Sequence, residues 1–347
     1  MVTDTVVCMV KNGRSALFRG TWIVLLCLLI VAVFVAASFR QQIRDHFSAI
    51  AFDPTPRVSE VLEDLRLTDS GERIFLATHP TVDGSQNFNE QCAGVDHSEE
   101  GHVLGCFAHD RIHLFDVTDE RVTGIVEATA AHELLHATFS RLGEGDKSAL
   151  TAKLRQEYDR LIVTDSELRE RMSVYEHLSD AAFVNELHSV LGTEVKELSG
   201  DLEAHYAQWF QDRGAIVNAF ASYHAVFVDL QRQADELRDE MTALRADVEQ
   251  RKEDYGAAVE QFNADAATFS ARNERFEFSD APEEFDSVRA DLEWRRVQLE
   301  ETLVGLEADI DRYNALRDQL TALSEVSSSL DQHLNSDLAP VTTRPSE

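Results

Sequence analysis

The residues with the clearest chemical potential are His132-Glu133-Leu134-Leu135-His136. On a helix, positions four apart share a face, so both imidazoles can reach one metal ion. A zinc ion lowers the pKa of its water to roughly 7, which makes hydroxide available at neutral pH. Glu133, beside the first histidine, is placed to take a proton from that water and pass it to a leaving amine. The plain alternative is that both histidines are ordinary polar groups on a half-buried helix and Glu133 is merely solvated. A third state is a site that binds zinc and no longer cleaves. Histidine makes up 13 of 347 residues, so two His and a Glu at fixed places arise by chance in roughly one of twenty chains of this composition. The elements around the motif therefore carry much of the weight.

Those elements can be read from periodicity. A helix is expected to start after Asp119 and to carry the motif over Val122–Leu142, with Gly143-Glu144-Gly145-Asp146 ending it. Ahead of it, Val103–Phe107 and Arg111–Val117 read as two strands around a His109-Asp110 turn. Val58, Val61, Leu62 and Leu65 have helical spacing, Ile74–Ala77 looks like a short strand, and residues 79–102, rich in Gly, Asn, Asp and Ser, read as a loop. More helix is expected through about Ala221, interrupted near Gly192 and Gly200. His79, His97, His102, His109, His113, His177 and His205 are expected on surfaces or loops, and Tyr206, Trp209 and Phe210 in the core. No Gly-rich phosphate loop, Ser-His-Asp set or Rossmann fingerprint stands out.

A motif helix preceded by strands resembles the HExxH metallopeptidases, over about residues 70–215, and that resemblance implies a zincin-like domain with a small sheet and an active-site helix. No Gly-x-x-His follows at the metzincin spacing, so the likeness is to gluzincins, whose third ligand is a glutamate from a second helix. Two stretches offer one. Asn185-Glu186-Leu187-His188-Ser189-Val190-Leu191-Gly192-Thr193-Glu194 resembles a motif in uncharacterised membrane-anchored bacterial proteins that also carry HExxH, and it makes Glu186 the favoured ligand. Tyr175-Glu176-His177-Leu178-Ser179-Asp180 matches the gluzincin Glu-x-x-x-Asp pattern and makes Glu176 the alternative, with Asp180 supporting a ligand histidine. His188 is a further candidate ligand or transition-state donor.

Composition excludes some classes. Asp+Glu number 63 against Lys+Arg 32, for a net charge of −31, which repels nucleic-acid phosphates. Basic residues are nearly all Arg, with Lys only at Lys11, Lys147, Lys153, Lys196 and Lys252; with abundant Ala this goes with a GC-rich bacterial genome by association. Trp22–Phe39 is an uncharged apolar run whose eighteen residues span about 27 Å as a helix, near the thickness of a hydrocarbon core. Lys11, Arg14 and Arg19 precede it and Arg40 and Arg44 follow, a slight bias that favours a cytoplasmic N-terminus and an extracytoplasmic bulk. A cleaved signal peptide ending near Val35-Ala36-Ala37 is the alternative, and it exports the same domain. Cys92 and Cys106 are the only cysteines beyond the run, and in an exported domain they most simply form a disulfide closing a loop of about 15 residues, worth roughly 3 kcal/mol. The alternative for them is metal ligation with His97 or His102.

From about Tyr223 the pattern changes to heptads. Phe227, Ala234, Met241, Val248, Tyr255, Phe262 and Phe269 recur every seven residues, with Leu230, Leu237 and Leu244 at the second seam position. Phe285, Leu292, Leu299, Leu306, Tyr313 and Leu320 repeat likewise, after a Ser279–Glu284 segment that opens a helix. The expected architecture is therefore α+β and mostly helical. It has a cytoplasmic segment 1–20, a transmembrane helix 21–39, a linker 40–57 stiffened by Asp53-Pro54-Thr55-Pro56, and a metallopeptidase-like domain 58–222. An antiparallel coiled-coil hairpin 223–325, about 70 Å long at 1.5 Å per residue, and a disordered tail 326–347 complete it. The expected function is a membrane-anchored extracytoplasmic zinc metallopeptidase acting on peptide or protein. The rival is a cell-envelope structural protein that works through its coiled coil, by a protein partner or by self-association.

Overall fold

The motif segment is apolar on nearly every side. In the computed structural model, which describes residues 39–93 and 102–336, it forms helix α5, Ile125–Ser140, and twelve of its sixteen residues are buried. A helix without a polar face has to be covered all round, and most of the surrounding chain does this. The chain divides into two compact units. The first holds Thr123–Ala221 and the chain up to Val117, and the second holds Thr118–Val122 and Ser222–Leu334; residues from Asn335 belong to the first.

One side of α5 is covered by a three-stranded sheet of order β1-β3-β2, formed by β1, Thr81–Asp83, β2, Gly105–Ala108, and β3, Arg111–Phe115. β1 runs parallel to β3 with Thr81 opposite His113, and β2 runs antiparallel to β3 with Cys106 opposite His113. The β2–β3 turn is His109-Asp110, both at positive φ (52° and 64°), the left-handed pair that matches the twist of a tight hairpin. β3 is central and buried over Ile112–Phe115. His113, expected at the surface, is 4% exposed and shares a 2.9 Å hydrogen bond with Thr81 Oγ1.

Alternate β2 residues face opposite ways. Gly105 lies against Thr129 and Glu133 of α5. Cys106 is bonded to Cys92 at the end of α4, Ser85–Cys92, with a Cα–Cα distance of 5.9 Å. So β2 is held between α5 and α4, and the disulfide reading stands over metal ligation for these cysteines.

Several helices differ from the sequence expectation. Ile74–Ala77 is not a strand but the last turn of α3, Asp69–Ala77, which starts where the Thr68 hydroxyl accepts from Gly71 N. A four-residue apolar run does not distinguish strand from helix; the cap ahead of it does. Residues 79–102 are not simply a loop, since they contain β1 and α4; Phe88 and Cys92, four apart, bury one side of α4. The 40–57 segment is more than a linker. It contains α1, Arg40–Ala51, and the start of α2, Pro56–Leu65, which Thr55 caps and whose Val58, Val61 and Leu65 are buried. The motif helix begins three residues later than expected, after a separate turn at Glu120–Val122.

α1 is tied to α5 by a buried ion pair. Arg141, at the C-terminal end of α5, donates from Nε and Nη2 to the two Asp45 oxygens, each at 3.0 Å. Its Nη1 donates to Ala137 O at 2.9 Å, and its Nη2 meets Asp110 at 2.8 Å. One guanidinium thus joins α1, the helix end and the β2–β3 turn.

Beyond α5 run α6, Glu144–Leu161, α7, Ser166–Ser173, α8, Asp180–Thr193, and α9, Gly200–Tyr206. Tyr206 and Phe210 are buried as expected. Helix α10, Arg213–Glu274, begins in the first unit and supplies the first arm of the second; α11, Pro282–Leu334, is the other arm. The arms are antiparallel: Arg251 pairs with Asp309, and Arg295 with Asp265 at 2.8 Å. Phe269, Phe278 and Phe285 cluster at the turn. The coiled helix does not stop at 325, because Leu330 and Leu334 are buried and carry it to Leu334; residues 337–347 of the expected tail lie outside the described residues. So does the Trp22–Phe39 run, except Phe39. Among the described residues no helix is long and apolar enough to cross a membrane.

Replacing Asp45 by Ala leaves the Arg141 charge buried without its bidentate partner. Urea unfolding is expected to show a loss of about 3 kcal/mol, the scale for breaking a buried pair; a change within error means that Asp110 alone satisfies Arg141.

Candidate metal centre

α5 and α8 are packed side by side. Close approach is possible because Gly192 of α8 has no side chain: a Cβ there would lie 2.3 Å from Leu135 Cδ1 and 2.6 Å from Tyr206 Cε1. At this crossing His132, His136 and Glu186 converge, with one ligand atom of each lying within 4.8 Å of the others. Glu186 Oε2 is 3.4 Å from His132 Nε2 and 3.5 Å from His136 Nε2. Donors about 2.0–2.2 Å from a zinc ion at tetrahedral angles stand about 3.3–3.6 Å apart, so the carboxylate sits where a third ligand would. Among the described residues three side chains meet here, and a metal ion held by these three in a tetrahedral arrangement would keep a fourth position.

Of the two glutamates considered for that place, Glu186 is in the group and Glu176 is not. Glu176 is exposed, in the turn ahead of α8. Asp180 pairs with Arg155 and supports no ligand histidine. His188 is also outside the group. Two positions beyond Glu186 it faces another side of α8, fully buried, with Nε2 2.9 Å from His205 Nε2 and its ring against Tyr206. His205, expected at the surface, is the half-buried partner in that pair.

The charges at the centre are mutually dependent. Burial disfavours ionised Glu186, but His136 and His132 outweigh it and hold its carboxyl well below the usual range. Burial likewise pushes His136 down, and the Glu186 carboxylate more than reverses this, so its pKa is raised. Glu133 is pushed up by burial, with the two histidines pulling back. It packs closely against β2: a Cβ on Gly105 would lie 2.9 Å from Glu133 Oε1 and 2.5 Å from Thr129 Cγ2.

Sequence reasoning missed Gly105 and Ser189. Ser189 is three residues beyond Glu186, on the same face of α8. Its hydroxyl donates to His132 O at 3.2 Å and lies 3.3 Å from His136 Nδ1. A serine that gives its proton to the carbonyl can accept one from His136 Nδ1, the arrangement that leaves Nε2 on the Glu186 side available to a metal. At the end of the same stretch Glu194 pairs with Arg171. The 185–194 stretch thus supplies a candidate ligand, a hydroxyl against His136 and the glycine of the helix contact.

No protein-family model, no curated protein and no solved structure matches this chain.

Ser189→Ala is expected to lower zinc affinity roughly tenfold, the usual cost of losing a group that orients a ligand histidine. Competition titration against a chromophoric chelator measures it, and unchanged affinity removes the serine from this role.

Proposed function

We propose that this chain is a zinc-dependent metallopeptidase, held at a membrane by its N-terminal run with its bulk on the extracytoplasmic side. The observation that carries the reading is the convergence of His132, His136 and Glu186, with Glu133 beside them. The ligand set, two imidazoles and one carboxylate with a place left over, suits zinc in a hydrolytic role. When bound, zinc supplies positive charge that polarises a scissile carbonyl and makes water a nucleophile near neutral pH.

The chain's own residues do the rest. Glu186 keeps its negative charge between the two histidines and holds both rings in place. Ser189 fixes the His136 tautomer. The Glu133 carboxylate takes the proton of the attacking water and delivers it to the departing amine nitrogen. Gly105 lets the β2 backbone press on Glu133 and limits where that carboxylate can swing. The resemblance to gluzincins supports a peptide or protein substrate, and the Cys92–Cys106 bond supports an oxidising compartment.

A second reading is favoured by one observation. Trp294, Val297 and Val304 on α11 are exposed, at 61%, 40% and 65%. In that reading the hairpin recruits a protein partner and the metal group is structural.

Zinc analysis of the purified chain tests the metal group, and peptide cleavage by the zinc-loaded chain separates the two. Stoichiometric zinc is expected, lost in His132→Ala, His136→Ala and Glu186→Ala and kept in Glu176→Ala. Glu133→Gln keeps zinc, and cleavage falls at least about 10²-fold because the amide cannot accept a proton. Gly105→Ala is expected to lower cleavage while zinc remains, since the added methyl displaces the Glu133 carboxylate and not the ligands. A wild-type chain without zinc, purified without chelator and with zinc supplied, ends the metallopeptidase reading.

A further inference from the structure

Helix α1 has two unlike faces. Gln41, Asp45, Ser48 and Phe52 turn toward the first unit: Asp45 is committed to Arg141, and Ser48 Oγ donates to Ala77 O at 2.9 Å. On the opposite side Phe39, Ile43, Phe47 and Ile50, spaced by four, four and three, form one stripe. They are 49%, 45%, 68% and 71% exposed. Beside the stripe lie exposed Arg40, Arg44 and His46. The single acid of the helix, Asp45, is buried in its ion pair. In a chain of net charge −31, the outward side of α1 therefore carries apolar and basic groups and no acid.

We propose that α1 lies in the surface of the bilayer that the preceding Trp22–Ser38 run enters, with Phe39, Ile43, Phe47 and Ile50 among the upper acyl chains and Arg40 and Arg44 at the lipid phosphates. This rests on the membrane-anchor reading. The occupant follows from three facts: the uncharged run ends at Phe39, immediately before this helix, the stripe has the spacing of an in-plane amphipathic helix, and its flanking charges oppose those of anionic headgroups. Leucine-sized groups so exposed beside arginines at a membrane boundary are placed as interfacial helices place them. The Asp45–Arg141 pair then joins this helix to the end of α5, so that docking fixes the height of the metal centre over the lipid.

The test uses the full chain with Cys8→Ser and Cys27→Ser, leaving the Cys92–Cys106 bond intact. A bimane probe is attached at Phe47→Cys, at Ile50→Cys or, as a control, at the exposed Glu63→Cys. The protein is reconstituted into phosphatidylcholine–phosphatidylglycerol vesicles, with and without lipids brominated on the upper acyl chain. Flotation shows whether the chain is in the vesicles. The expected result is blue-shifted emission at 47 and 50 that brominated lipid quenches, with neither effect at 63. A chain that floats while 47 and 50 stay unquenched overturns this inference and leaves the anchor standing. Unquenched probes whose positions crosslink between two copies also overturn it, and assign the stripe to self-association. A chain that does not float overturns both readings.

Discussion

The first unit is organised by a single constraint, that α5 has no face that can be left in water. Its buried residues run right round the helix, from Ile125 and Val126 through Leu134 and Leu135 to Thr138. The sheet takes one side, α8 another, and α2 and α3 close the remainder. Four of the buried positions are polar, His132, Glu133, His136 and Thr138, and a buried polar group needs a partner, which Thr138 finds within the helix at Leu135 O. For the two histidines the covering element α8 supplies Glu186 and Ser189, and β2 lies against Glu133 at Gly105. The covering of an apolar helix and the assembly of a metal group are thus one event in this fold.

The electrostatics follow from the same burial. A carboxylate and two imidazoles in a nearly dry place are costly separately and stable together, because each supplies the charge that the other's desolvation opposes. Arg141 shows the same logic at the helix end. Its guanidinium satisfies a terminal carbonyl of α5, where a cation is also favoured by the helix dipole, and neutralises Asp45 and Asp110. The centre is therefore braced at its carboxyl end by a charge network separate from the ligands.

Much of this was legible in the sequence, for identifiable reasons. The helix carrying His132 and His136 was long and flanked by a clear hairpin, and His109-Asp110 suits a left-handed turn. Glu186 was favoured through likeness to a motif, and its place in the group agrees. What was not legible was set by tertiary contacts. Ile74–Ala77 is too short to show a period, and α4 sits in a stretch whose Asn, Gln and Ser read as loop until Phe88 and Cys92 are seen to bury. Gly105 and Ser189 carry no signal apart from the side chains they touch, and nothing near Asp45 in the sequence points to Arg141, 96 residues away.

The hairpin's seam charges have a mechanical consequence. Arg251–Asp309 and Asp265–Arg295 are two heptads apart on each arm, in half-buried positions between apolar layers. Sliding one arm by a heptad, about 10 Å, sets Arg251 against Thr302 or Leu316, and Asp265 against Val288 or Thr302. Each slipped alignment loses both cross-arm pairs and leaves Arg251 and Arg295 only the acids of their own helices, Asp247 and Asp291. Apolar heptads alone would zip in any of several alignments. With these charges, arms pulled open under tension close again in one alignment, so the rod returns to the same length each time.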